Sequence, residues 1–288
     1  MTSSNIITAK DAEKLVGKSG VAFVDGSWYL PAQNRNGHEE YNAARIPGAV
    51  YFDINAIADQ DTDLPHMLPT PTAFESAVRK LGISNDTHII VYDGPGLFSA
   101  ARVWWTFKIM GASNVQVLED GFDNWQHQGR PIETDTPSTP AAGNFTAKFS
   151  KERVISMDGV IENLESKSHL VIDARPKARF DGTAPEPRPG MRSGHIPGSK
   201  AMPFVDLLEA GRLKSPSELK AIFKELDITP STPVITSCGS GVTAAVLTLA
   251  LEETGHTNNR LFDGSWAQWG MPDGPPVHTN VEKEQSDD

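Results

Sequence analysis

The sequence predicts an α/β protein built as two tandem domains, each a parallel sheet with helices on both faces. Three observations point there. First, the chain repeats itself: RIPGAVYFDI (45–54) resembles HIPGSKAMPF (195–204), HIIVYDGPGLFSAARVWW (88–105) resembles PVITSCGSGVTAAVLTL (233–249), and LEDGFDNWQHQGRPI (118–132) resembles LFDGSWAQWGMPDGPPV (261–277). The matches keep their order and are each displaced by roughly half the chain, so one domain occurs twice rather than as a many-fold solenoid. Second, VAFVD, HLVID, HIIVYD and PVITSC are short apolar runs that end on a polar residue, the pattern of strands buried on both faces. Third, helical segments with three- and four-residue apolar spacing, PTAFESAVRKLG and SPSELKAIFKELD, lie between them, each opened by a Pro or Ser capping signal. Strand alternating with helix implies parallel pairing with crossovers. In such sheets ligands bind beyond the carboxyl ends of the strands.

The expected boundaries are a first domain over 1–137, a linker over 138–152 within the Thr/Pro/Ala/Gly-rich stretch TDTPSTPAAGNFTAKFS, and a second domain over 153–288. The terminal VEKEQSDD reads as a disordered charged tail. The chain has 26 basic and 37 acidic residues, a net charge of −11. That balance argues against nucleic-acid binding, which needs a basic surface. No apolar run approaches a membrane span and no secretory h-region precedes the first domain, so a soluble, cytoplasmic protein is expected. The single cysteine excludes an internal disulfide and a cysteine-based zinc site. No H-E-x-x-H spacing occurs (GHEEY at His38 does not supply it), and neither metal nor cofactor is expected.

That one cysteine, Cys238, stands at the end of the strand PVITS and opens the loop CGSGVTA. Gly239 and Gly241 let the backbone curl, and a helix expected from about Val242 points its first amides back at the loop. Helix amides and dipole favour an anion there, and the thiolate is the nucleophilic form of cysteine. The loop is expected to be exposed. A cysteine phosphatase would need an arginine six residues after the cysteine, where Ala244 stands, so phosphate chemistry is set aside. Sulfur transfer remains: the thiolate takes a sulfane sulfur and the amide-lined loop, Gly239, Gly241, Val242 and Thr243 included, holds the persulfide anion.

CGSGVTA resembles the active-site loop of the rhodanese family, and within it the two-domain 3-mercaptopyruvate sulfurtransferases, whose loops lack the basic residues usual in thiosulfate-using members. RIPGA, GHIPGS, PHMLP (65–69) and DGSWAQWG (263–270) extend the resemblance over nearly the whole chain. It implies two rhodanese-like domains with the active cysteine in the second. Asp93 occupies the matching place in the first, which makes that domain catalytically silent. It implies that Arg179 (KARFDG) and Arg188 (PEPRPG) bind the substrate carboxylate, a role that suits a planar guanidinium fork. It also implies a proton relay of Ser240, His66 and an acidic residue. At the third position this chain has Asn55, which orients an imidazole but does not stabilise its cation as a carboxylate does; Asp53, Asp61 and Asp63 lie near enough in sequence to substitute.

Other polar residues have structural readings. Arg175 is expected to pair with Asp173, and His195 marks a turn kept in both halves. Trp266 and Trp269 either wall the pocket or pack the core. The expected activity is transfer of sulfur from 3-mercaptopyruvate, through a Cys238 persulfide, to cyanide or a thiol such as thioredoxin, with release of pyruvate. The alternatives are a thiosulfate sulfurtransferase or a non-catalytic persulfide carrier.

Overall fold

The computed structural model describes residues 4–280; the tail expected to be disordered lies outside the described residues. The first half contains β1 (Ile6–Ile7), α1 (Ala9–Glu13), β2 (Val21–Asp25), α2 (Gly37–Ala43), β3 (Val50–Tyr51), α3 (Pro71–Lys80), β4 (His88–Tyr92), α4 (Ala100–Ile109), β5 (Val115–Leu118) and α5 (Gly121–His127). The second contains β6 (Val154–Ile155), α6 (Met157–Ser166), β7 (Leu170–Asp173), α7 (Lys177–Asp181), β8 (Lys200–Ala201), a hairpin of β9 (Leu208–Glu209) and β10 (Arg212–Leu213), α8 (Pro216–Glu225), β11 (Val234–Ser237), α9 (Ala244–Glu253), β12 (Asn259–Phe262) and α10 (Ser265–Trp269).

The two five-stranded sheets have matching orders, β1-β5-β4-β2-β3 and β6-β12-β11-β7-β8, and every pair in them is parallel. The central strands β4 and β11 are apolar because both their faces are covered. Capping follows local chemistry. Thr70 accepts the Ala73 amide ahead of Pro71, and Ser215 with Glu218 forms a capping box ahead of Pro216. Helices α4 and α9 are buried almost all round and pack on each other. One apolar core therefore runs through both halves, joining Trp104 and Phe107 to Val246 and Leu251. Smaller cores, around Tyr92 and Trp125 and around Ile235 and Trp269, lie on the sheets' outer faces.

The segment expected to be a plain linker is a strap. Most of it is exposed, but Phe145 is fully buried, and Gly143 and Phe145 donate backbone hydrogen bonds to Arg79 and Ile83. Phe145 supplies the anchor, whereas Phe149 in the same stretch stays exposed. Among the described residues no helix is long and apolar enough to cross a membrane.

Candidate active site

β11 delivers Cys238 to the carboxyl end of the second sheet, and α9 begins at Ala244, two residues later than the sequence suggests. Contrary to expectation the loop is not exposed: Cys238 is 1% accessible and Ser240 6%, because the first domain closes over it. Backbone bonds from Trp266 to the Cys238 carbonyl and from Ala267 to that of Gly239 hold it from behind. Only one of the two loop glycines has positive φ. Gly241 sits at φ +77°, and a Cβ there would lie 2.8 Å from Arg102 Nη1 and 2.9 Å from the Asp263 carbonyl. The space beside Gly239 is open, and a Cβ on it would meet only Arg179 Nη2, at 3.3 Å.

The loop floors a cavity of about 460 Å³ between the domains. Its polar lining includes Arg179, Arg188, His66 and Ser240, and its apolar wall is Trp28, Phe98 and Phe204. Trp28 and Phe98 stack at 5.8 Å, and Phe98 meets Phe204 across the interface at 5.8 Å. Gly239, Val242 and Thr243 also line it, whereas Gly241 turns away toward Arg102. Trp266 and Trp269 do not: both are buried in the core, donating to the carbonyls of Arg192 and Pro276.

Ser240 and His66 come together across the interface, Oγ to Nδ1 at 3.0 Å. The acidic third member does not. Asn55 lines the cavity, but neither it nor Asp53, Asp61 or Asp63 bonds to the imidazole; Asp53 instead accepts the amides of Asn55 and Ala56. Burial, then the cations of Arg102 and Arg188, push the His66 pKa down to about 3, so the ring is neutral near pH 7. His66 also adopts φ +61°, a strained conformation for a non-glycine residue. Arg102 holds it there.

Arg102 is a residue the sequence reading passed over. It projects from α4 and is 2% exposed. Nη2 donates to the His66 carbonyl at 2.6 Å, Nη1 to the Gly241 carbonyl at 3.3 Å, and the head forms an ion pair with Asp263 at 2.7 Å. Asp263 in turn accepts the Leu68 amide at 2.8 Å. One cation thus ties the histidine segment of the first domain to the cysteine loop of the second. RVWW reads as buried helix in sequence, and only the chain's folding back discloses the contact.

The two arginines expected to bind carboxylate differ. Arg188 is half-buried, faces Cys238, and has no hydrogen-bond or ionic partner among the described residues. Arg179 is engaged: its Nε lies 3.2 and 3.1 Å from the two carboxylate oxygens of Glu186, and its Nη2 pairs with the same group. Glu186 also accepts from Arg175 Nη1 at 2.8 Å. Arg175 pairs with Asp173, as expected, with Nη2 to Oδ2 at 2.7 Å, and donates to the Gly194 carbonyl. His195 is structural, with Nδ1 2.8 Å from the Phe180 carbonyl and its ring stacked on Phe180.

Two parallel sheets of one topology, a cysteine-headed turn at one carboxyl edge and a lid drawn from the other domain define the class of protein. The profile of the rhodanese-like domain matches residues 8–128 and again 156–271, and the chain belongs to the rhodanese family. A curated relative from Arabidopsis thaliana named thiosulfate/3-mercaptopyruvate sulfurtransferase 2 is 40% identical, with 96% of this chain and 87% of that one covered. The 3-mercaptopyruvate sulfurtransferase of Escherichia coli K12 is 43% identical over 89% of this chain and 92% of its own. The crystal structure of SseA from Escherichia coli, titled for the rhodanese fold and mechanism of 3-mercaptopyruvate sulfotransferases, superposes with a TM-score of 0.84 at 38% identity, covering 92% of this chain and 99% of that one.

Proposed function

We propose that this protein transfers sulfur from 3-mercaptopyruvate, through a persulfide on Cys238, to a thiol or to cyanide. The observation that carries this reading is the unpartnered Arg188 facing Cys238, beside a Ser240–His66 pair at 3.0 Å, in a loop without any side-chain cation. A carboxylate held on Arg188 leaves the thiol end of the donor free to reach the cysteine. The thiolate attacks the donor sulfur, the carbon–sulfur bond breaks, and its electron pair leaves as the enolate of pyruvate. The hydrogen of the donor thiol stays on the outer persulfide sulfur, and its loss as a proton balances protonation of the enolate carbon. Ser240 lines the cavity beside Cys238 and is the hydroxyl assigned to carry this proton. His66, being neutral, orients the Ser240 hydroxyl and passes a proton rather than supplying one as imidazolium. An acceptor anion, cyanide or a thiolate (thioredoxin's being one candidate), then removes the outer sulfur and restores the Cys238 thiolate. Among the described residues there is no second cysteine, so resolution from within the chain has no nucleophile.

A thiosulfate reaction is the second reading, favoured by the guanidinium groups of Arg175, Arg179 and Arg188 that line the same cavity. Turnover with each donor at equal concentration, read as pyruvate or sulfite release with cyanide as acceptor, separates the two. We expect 3-mercaptopyruvate to give the higher kcat/KM. Equal or better use of thiosulfate overturns the assignment of donor. No release from either supports a carrier.

A further inference from the structure

We propose that Glu186 sets the net charge of the donor pocket and so makes it select a singly charged over a doubly charged sulfur donor; this rests on the reading that Cys238 takes sulfur from a small anionic donor. Glu186 pairs with Arg179 at the pocket wall and with Arg175 behind it, and its side chain is 4% exposed. It closes a buried chain of charges, Asp173–Arg175–Glu186–Arg179. Two cations and two anions in that chain cancel. What remains facing Cys238 is one cation, Arg188, because His66 is uncharged at neutral pH.

A carboxylate donor of charge −1 matches that single excess cation. A dianion brings a second negative charge next to the Cys238 thiolate with nothing left to meet it. In a cavity walled by Trp28, Phe98 and Phe204 such a charge is poorly screened. Without Glu186, Arg179 would add a second free cation within reach of Gly239, whose missing Cβ would lie 3.3 Å from its Nη2. The loop's lack of side-chain cations and the neutralisation of Arg179 therefore act in the same direction. Glu186 touches neither the sulfur nor the reacting carbon, so it is a specificity-determining residue acting through Arg179.

The test measures binding of thiosulfate and of pyruvate to Cys238→Ser protein, and kcat/KM for thiosulfate and 3-mercaptopyruvate with Cys238 intact. In both backgrounds Glu186→Gln, Glu186→Asp and Arg179→Gln are compared. Glu186→Gln keeps the shape and removes the charge. It should shift the preference toward the dianion by about tenfold, the scale expected for one added charge at this range. Glu186→Asp keeps the charge and should keep the preference even where overall affinity falls. Arg179→Gln should move the preference the opposite way, weakening thiosulfate more than pyruvate, and it decides the matter should Glu186→Gln not fold. An unchanged ratio in both charge-altering variants, or an equal shift in Glu186→Asp, overturns the inference. Failure of the wild type to use 3-mercaptopyruvate would strike the functional reading instead, since the anion-binding ratios do not depend on turnover.

Discussion

The two halves of this molecule run the same chain path, and at each position where the second carries chemistry the first carries a filler. Cys238 is matched by Asp93, whose buried carboxylate accepts the amides of Gly96, Phe98 and Ala100 at 2.8, 3.0 and 2.8 Å. The turn after this strand is thus an anion cradle, occupied in the first half by its own carboxylate. Burial outweighs those three donors and raises the Asp93 pKa. Ser240 is matched by Pro95. His66 stands as far before Pro71 as Gly211 stands before Pro216, and Gly211 (φ +81°) presses on Pro95, leaving room for no side chain. Over Gly94 the Tyr29 hydroxyl, bonded to Glu40 at 2.6 Å, fills the space that is open above Gly239. Even the crossing ion pairs are reciprocal. Asp263 receives Arg102 from the first half, and Asp120 receives Arg212 from the second, each at 2.7 Å. Duplication left two cradles and two latches. We infer that only one cradle does chemistry.

The comparison breaks most severely at the latch. Arg102→Met should abolish most turnover and cost about 3 kcal/mol of stability, because Asp263 is left buried without its cation while the carbonyls of His66 and Gly241 lose their donor. Arg212→Met, at the half-exposed reciprocal pair, should leave turnover near wild type. Measuring chemical denaturation and activity on both checks this, and equal losses would show that the two latches are equivalent after all.

A smaller effect concerns pH. The folded His66 pKa of about 3 lies below the ordinary 6.5, so between those values the unfolded chain binds the extra proton. The stability this group contributes is complete above about pH 6.5 and falls as pH drops toward 3, with a slope of up to about 1.4 kcal/mol per pH unit. His66→Gln should remove that slope from the stability–pH curve. A curve identical to wild type would place the protonation elsewhere.

The mildest difference lies at the ends of β2 and β7. Asp173 has Arg175 two residues on, whereas Asp25 has Ser27 there and no cation. Burial pushes the Asp25 pKa up to about 7. The folded state therefore holds a proton that the unfolded state releases near pH 4, and stability is lost as pH rises between these values. Asp25→Asn should stabilise more at pH 8 than at pH 5, because the wild type loses stability over that interval while the amide does not titrate. Asp173→Asn should destabilise at both. Parallel thermal melts decide it.

The doubled sheets were legible in sequence because their signals are local: apolar runs, capped helices and a motif met twice. Cys238, Ser240 and His66 were legible for the same reason, each sitting in a short recognisable stretch. Glu186, Arg102 and the Trp28–Phe98–Phe204 wall were not. The contacts of Arg102 and of the aromatic wall join segments far apart in the chain, and Glu186, though its partners lie 7 and 11 residues away, sits between two prolines with no periodicity to mark it. Exposure of the cysteine loop was misjudged because the cover comes from the other domain. The relay's missing acid was visible as Asn55, yet only packing reveals that no neighbouring aspartate replaces it and that burial beside Arg102 and Arg188 keeps the histidine neutral.

The central claim is that Cys238 alone bears the transferred sulfur. The direct measurement is the intact mass of the protein after exposure to 3-mercaptopyruvate without acceptor, followed by peptide mapping. Wild type should gain one sulfur atom, on the peptide carrying Cys238, and lose it when cyanide is added. Cys238→Ser should gain none while keeping the wild-type melting curve within a few degrees. Sulfur retained by Cys238→Ser, or a wild type that releases pyruvate without ever acquiring the added mass, would contradict it.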